Sequence, residues 1–111
     1  MTFEQYLIDK LQHIAPAYAE KPEDAKGEYL VVDTISASES NFIKHTTIAV
    51  RCYADKHGAA ADLNLRVREF MSTLWQEPEI ARCKINTEYA INSVAQMQYR
   101  YQSIYDIIHY L

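Results

Sequence analysis

Apolar positions along the chain follow two periods. Phe3, Leu7, Leu11 and Ile14 recur at helical spacing, which predicts a first amphipathic helix over residues 3–14. Thr2 stands at its N-cap, where the hydroxyl can accept the Gln5 N–H and the Gln5 side chain can reach back as in a capping box. Pro16 ends the helix. Residues 17–20 read as a short strand, and residues 21–27 as a charged turn bounded by Pro22 and Gly27. Residues 28–35 are rich in β-formers and predict a strand. Residues 36–41 form a polar connector, and residues 43–53 predict a second, long strand. There Ile48, Val50 and Cys52 alternate with Ala49, Arg51 and Tyr53. The two strands make a hairpin. Its loop, Ser36 to Phe42, is longer than a tight two-residue turn and is expected to project from the body.

The helical period returns over residues 57–76, where Ala60, Leu63, Val67, Phe70, Met71 and Leu74 form one stripe. Asp62 and Arg66 are spaced to pair on its flank, and Pro78 stops it. Cys83, Ile85, Thr87, Tyr89 and Ile91 then alternate with polar residues, as in a strand buried on one face. A short loop at residues 92–96 leads to the longest strand, residues 97–110, with Met97, Tyr99, Tyr101, Tyr105 and Ile107 on one face. The order α-(β)-β-β-α-β-β predicts an α+β domain: an antiparallel or mixed sheet of four to five strands, both helices packed on one face. Phe3, Leu7, Leu11, Ile48, Val50, Leu63, Val67, Phe70 and Leu74 are its expected core. No internal repeat is visible.

Composition narrows function mainly by exclusion. A chain of 111 residues, 49% apolar, fits a single domain over 1–111 with an adequate core. A net charge of -4 argues against a dedicated nucleic-acid binder. Only Gly27 and Gly58 are glycines, too few and too far apart for a P-loop or a dinucleotide fingerprint. The N-terminus lacks a signal-peptide pattern, and no apolar run is long enough to span a membrane. Asn41, Asn64, Asn86 and Asn92 all lack a sequon. Cys52 and Cys83 are expected to be reduced thiols in a cytosolic setting. His13, His45, His57 and His109 show no metal-ligand spacing. Glu77 with Glu79, and the loop acids Glu20, Glu23 and Asp24, read as solvated charges. No catalytic residue, metal or cofactor is therefore expected.

Tyrosine is the unusual feature, with nine in the chain. Tyr99, Tyr101 and Tyr105 share one strand face. They read as cross-strand packing or as a subunit interface, where tyrosine supplies apolar area with a polar tip. Base stacking is disfavoured by the acidic balance. Trp75, at the edge of the second helix's stripe, either closes the core or contacts a neighbour.

With its opening helix, the run Gly27-Glu28-Tyr29-Leu30-Val31-Val32 and the Ser-rich connector Ser36 to Ser40, the chain resembles the tail terminator, or tail-completion, proteins of long-tailed bacteriophages and prophages. The run Ile48-Ala49-Val50-Arg51-Cys52-Tyr53-Ala54, the helix opening Ala59-Ala60-Ala61-Asp62-Leu63 and the Tyr/Gln-rich final strand complete a likeness that covers nearly the whole length. The resemblance implies a non-enzymatic virion protein, assembled in the bacterial cytoplasm. It implies a homo-hexameric ring that caps the tail tube and meets the head–tail connector, with no specific nucleic acid and no membrane as partner. Rings use heterologous contacts. The candidate interface residues are Ser36, Ser38, Glu39, Ser40, Asn41 and Phe42 in the hairpin, and Tyr99, Arg100, Tyr101 and Tyr105 in the last strand. The alternatives are another neck protein, either a head–tail stopper or a minor capsid protein, or a small cytosolic domain that binds a ligand or a protein.

Overall fold

The computed structural model describes residues 2–23, 27–93 and 98–110. Thr2 caps α1 (Phe3–Leu11), accepting the Gln5 N–H at 3.1 Å. The Gln5 side chain donates forward to Asp9 at 2.8 Å instead of reaching back. α1 stops short of residue 14. The N–H groups of Ile14 and Ala15 both bond the Leu11 carbonyl. The Gln12 amide brackets Ala17, donating to its carbonyl at 2.7 Å and accepting its N–H at 3.2 Å. That bracket turns the chain and starts β1 (Ala17–Tyr18).

β2 (Tyr29–Ser40), β3 (Ile43–Ala54), α2 (His57–Ser72), a 3-10 turn (Leu74–Gln76), β4 (Ile80–Ser93) and β5 (Gln98–His109) follow. The expected loop at residues 92–96 falls mostly outside the described residues, as does Met97; Asn92 itself belongs to β4. The strands form one sheet in the order β1-β2-β3-β5-β4. β1 runs parallel to β2 and every other pairing is antiparallel, so the sheet is mixed. α1 packs on β1 and β2, and α2 on β3, β5 and β4. Both helices lie on one face, and the fold is α+β. The chain lays down a helix and a hairpin twice, and the two hairpins meet along β3 and β5. Strands of 12 to 14 residues rising ~3.3 Å per residue account for the longest dimension of 46 Å.

The core lies between the helices and one sheet face. Leu7 and Leu11 from α1 and Leu63, Val67 and Met71 from α2 meet Leu30, Val32, Ile48, Val50, Cys52, Tyr105 and Ile107. Each Leu, Val, Ile and Met among them contributes roughly 1.5–3 kcal/mol by leaving water. Phe3 and Phe70, expected in the core, are only partly buried at its margin. Phe70 meets the His13 ring edge-on at 5.1 Å. Arg66 does not pair with Asp62 but reaches Glu28 at 2.9 Å. Trp75 is 62% exposed and closes nothing.

β4 departs most from its sequence pattern. Cys83 and Ile85 face the core, but a register shift between Ile85 and Thr87 makes Asn86 a bulge. One extra residue flips the facing of Thr87, Glu88 and Tyr89. Glu88 now turns toward α2, accepting Asn64 at 3.0 Å and Arg68 at 2.8 Å. Tyr89 turns to the opposite face, where its hydroxyl accepts from Gln102 at 2.8 Å. On that helix-free face Tyr29 stacks on Tyr53 at 4.6 Å. Lys21 and Arg100 sit over the Tyr53 ring at 5.6 and 5.8 Å.

Candidate assembly surface

The expected hairpin loop is almost all strand. β2 and β3 pair as far as Ser40 and Ile43, so Ser36, Ser38, Glu39 and Ser40 are ladder residues and only Asn41 and Phe42 turn. Both have positive φ, 52° and 68°, the backbone signature of a type I′ turn. Asparagine tolerates that conformation; phenylalanine pays roughly 1–2 kcal/mol for the clash of its Cβ. Phe42 is 87% exposed, so no burial offsets the strain. The sequence carried half of the turn signal, in Asn41, and Phe42 concealed the rest.

The hairpin end is an arm without cover. Every β2 residue from Thr34 to Ser40 is exposed. Ile35 is bulged out of register and 53% exposed, and Ile43 is exposed beside the turn. β1 lines β2 only at Leu30 and Val31, so the rest of β2 is a sheet edge. The opposite edge is β4. Its first half carries Arg82 and Lys84, neither of which forms an ion pair among the described residues.

The tyrosines of β5 separate. Tyr99, Tyr101 and Tyr105 do share a face, but it is the face under the helices. Tyr105 is 2% exposed, so it is a core residue and not part of a surface patch. Its hydroxyl accepts from Ser103 at 2.9 Å. Tyr101 is half-buried against the same core. Tyr99 lies at the rim, edge-on to His57 at 5.9 Å. Arg100 is on the other face and donates to the Tyr53 hydroxyl at 3.3 Å.

Hollows lie along both faces of the arm. On the helix-free face, His45, Thr47, Arg82, Lys84, Asp106 and Ile108 line a cleft of about 290 Å³. Asp106 accepts from Thr47 and from Asn86, each at 2.9 Å, so both its oxygens are engaged within the sheet. On the helix face, a hollow of about 350 Å³ lies between the start of α1 and the arm. There the Phe3 ring stacks on buried His109 at 3.7 Å, and His109 Nε2 lies 2.7 Å from Thr46 Oγ1. Burial and the nearby Asp33 carboxylate raise the Glu4 carboxyl above its ordinary range.

The thiols are poor nucleophiles. Burial pushes both Cys52 and Cys83 up to about 12, with Asp106 adding to the effect at Cys83. Among the described residues no group of three or more His, Cys, Asp or Glu side chains is placed to hold a metal ion. No helix among them is long and apolar enough to cross a membrane. No protein-family model matches the chain, and no curated protein matches it in sequence.

Proposed function

We propose that this chain is a ring-forming structural protein of a long-tailed phage or prophage, a tail terminator whose hexamer caps the tail tube and joins it to the head. Its place would then be the virion neck, with tail-tube and head–tail connector proteins as partners. The observation that carries the reading is Phe42: a large apolar side chain, held at a strained turn on the tip of an uncovered arm. Strained residues persist where the surroundings need them, and this one does nothing for its own fold. An exposed aromatic on an arm fits a neighbouring subunit, where aromatic anchors concentrate interface energy.

A binding-module reading rests on the cleft beside His45, Arg82 and Lys84. Six of its eight lining residues are polar or charged by type, and both Asp106 oxygens are already engaged within the sheet, so the cleft suits a subunit contact better than a small ligand. Light scattering on the full chain at rising concentration tests the proposal. Wild type should reach the mass of a hexamer, and Phe42→Gly should remain a monomer. Equal masses for the two proteins refute a role for the tip, and a wild type that stays monomeric up to millimolar concentration refutes the ring.

A further inference from the structure

We infer that Phe42 of one copy seats in the hollow between the start of α1 and the arm of the next copy. The inference deepens the ring reading and rests on it. Phe42 is the plug, 87% exposed and held at a positive φ. Ile43, exposed beside it, adds to the apolar tip.

The hollow has the size and the walls of a seat. It measures about 350 Å³, whereas a cavity of about 150 Å³ already holds a benzene ring. Phe3, Thr34, Ala37 and Thr46 line it, together with Glu4 and Lys44. The Phe3 ring lies flat on His109, 3.7 Å away and 8° from parallel. That stack fixes its orientation, yet the ring is only partly buried. It offers an aromatic wall, against which a second ring packs edge-on or offset. Ala37 is exposed and stands opposite Thr46 in the ladder. Its single methyl leaves the space open, and a larger side chain there would fill it.

The chain cannot fill this seat with its own tip. β2 and β3 are paired out to Ser40 and Ile43, and the ladder keeps the tip from folding back. Thr46 is four residues from Phe42 along β3, about 13 Å at ~3.3 Å per residue. The exposure of Phe42 places its ring in solvent, outside the hollow. A stiff arm and a seat beyond its own reach leave a second copy as the occupant.

Charge agrees with that occupant. Successive copies in a ring of six differ by a sixth of a turn, so like faces never oppose. Where copies overlap, the helix-free side of one leans on the helix side of the next. At the arm end these two sides carry opposite charge. Arg82 and Lys84 stand on the helix-free side with His45, and Asp106 among them is held by Thr47 and Asn86. On the helix side are Glu4, Glu39 across the ladder from Lys44, and Glu79 beside Tyr6 of α1. Neither those two cations nor these three acids form an ion pair among the described residues. Each copy then gives one plug and offers one seat, a heterologous contact of the kind that generates rings.

Native mass spectrometry of the full chain tests the seat, with thermal melting followed by circular dichroism as the check on folding. Ala37→Trp fills the hollow from an exposed strand position, a setting that suits tryptophan. It should melt as wild type does and lose the hexamer. Mixed with Phe42→Gly, it should form a one-to-one pair. Its intact tip enters the intact seat of the other variant, and the remaining tip and seat are both disabled. A mixture without that pair overturns the seat. A folded Ala37→Trp that still forms the wild-type hexamer also overturns the seat, while the ring stands. If Ala37→Trp fails to fold, Thr34→Arg, exposed in the same lining, decides, and a hexamer retained there overturns the seat. A wild type that remains monomeric overturns the ring and the seat together.

Discussion

Replacing Phe42 with glycine should make the monomer more stable, although it deletes a large apolar side chain. The ring is 87% exposed, so the loss of burial costs almost nothing. The backbone at φ 68° is strained for any L-residue and unstrained for glycine. Relief of roughly 1–2 kcal/mol of strain is offset by roughly 0.5–1 kcal/mol for the greater freedom of glycine in the unfolded chain. The net gain is about 1 kcal/mol. At a urea slope of roughly 1–3 kcal/mol per molar, the unfolding midpoint should rise by about half a molar, with the slope unchanged. The assay is urea denaturation followed by far-ultraviolet circular dichroism, at concentrations dilute enough to keep both proteins monomeric. Phe42→Ala is the control. It removes the ring but keeps the strain, and should leave the midpoint in place. A midpoint for Phe42→Gly at or below wild type would refute the strained turn. Equal gains from alanine and glycine would show that the strain is not the cause.

Core substitutions should scale with burial: Leu63→Ala, fully buried, should cost roughly 2–5 kcal/mol, and Phe70→Ala should fall below the roughly 3–5 kcal/mol typical of buried phenylalanine, as read from urea midpoints. Glu88→Ala should cost about 1–3 kcal/mol, because it strands the buried Asn64 amide without its acceptor; Glu88→Gln, which keeps an acceptor, should recover part of that loss. Stability should also fall in alkali. Unfolded thiols ionise near 9, whereas Cys52 and Cys83 ionise only near about 12 in the fold. Their contribution is complete below pH 9 and is lost between 9 and 12; denaturation midpoints of Cys52→Ala across that range should decline less than those of wild type.

Helical and strand periods made the element order legible, because burial on one face forces apolar residues into step with the backbone. The α+β class followed from that order. What the pattern could not show was each place where a single residue breaks the step. Asn86 bulges β4, and from there the apparent inward set of Thr87 and Tyr89 faces the other way. Ser36 to Ser40 look like a loop because no helix covers them, so nothing required apolar residues there; they are strand all the same. Tyr105 was legible as sharing a face with Tyr99 and Tyr101, but which face lay under the helices depends on α2, whose stripe is set elsewhere in the chain. In the candidate surface, the arm was visible as a polar hairpin end. Its tight turn was not, since phenylalanine, a bulky residue, rarely adopts positive φ.

The repeated helix-and-hairpin layout has a kinetic consequence. Each half forms its own hairpin between strands adjacent in the sequence, so most early contacts close only short stretches of chain, at small entropic cost. Among the long strand pairings, the seam between β3 and β5 is the one that joins distant parts of the chain, across α2 and β4. The conformational search thus reduces to two local events followed by one docking step. For a domain with so much strand, where non-local pairing usually dominates and slows folding, the slow coordinate is concentrated in a single ladder between Lys44 and Ala54.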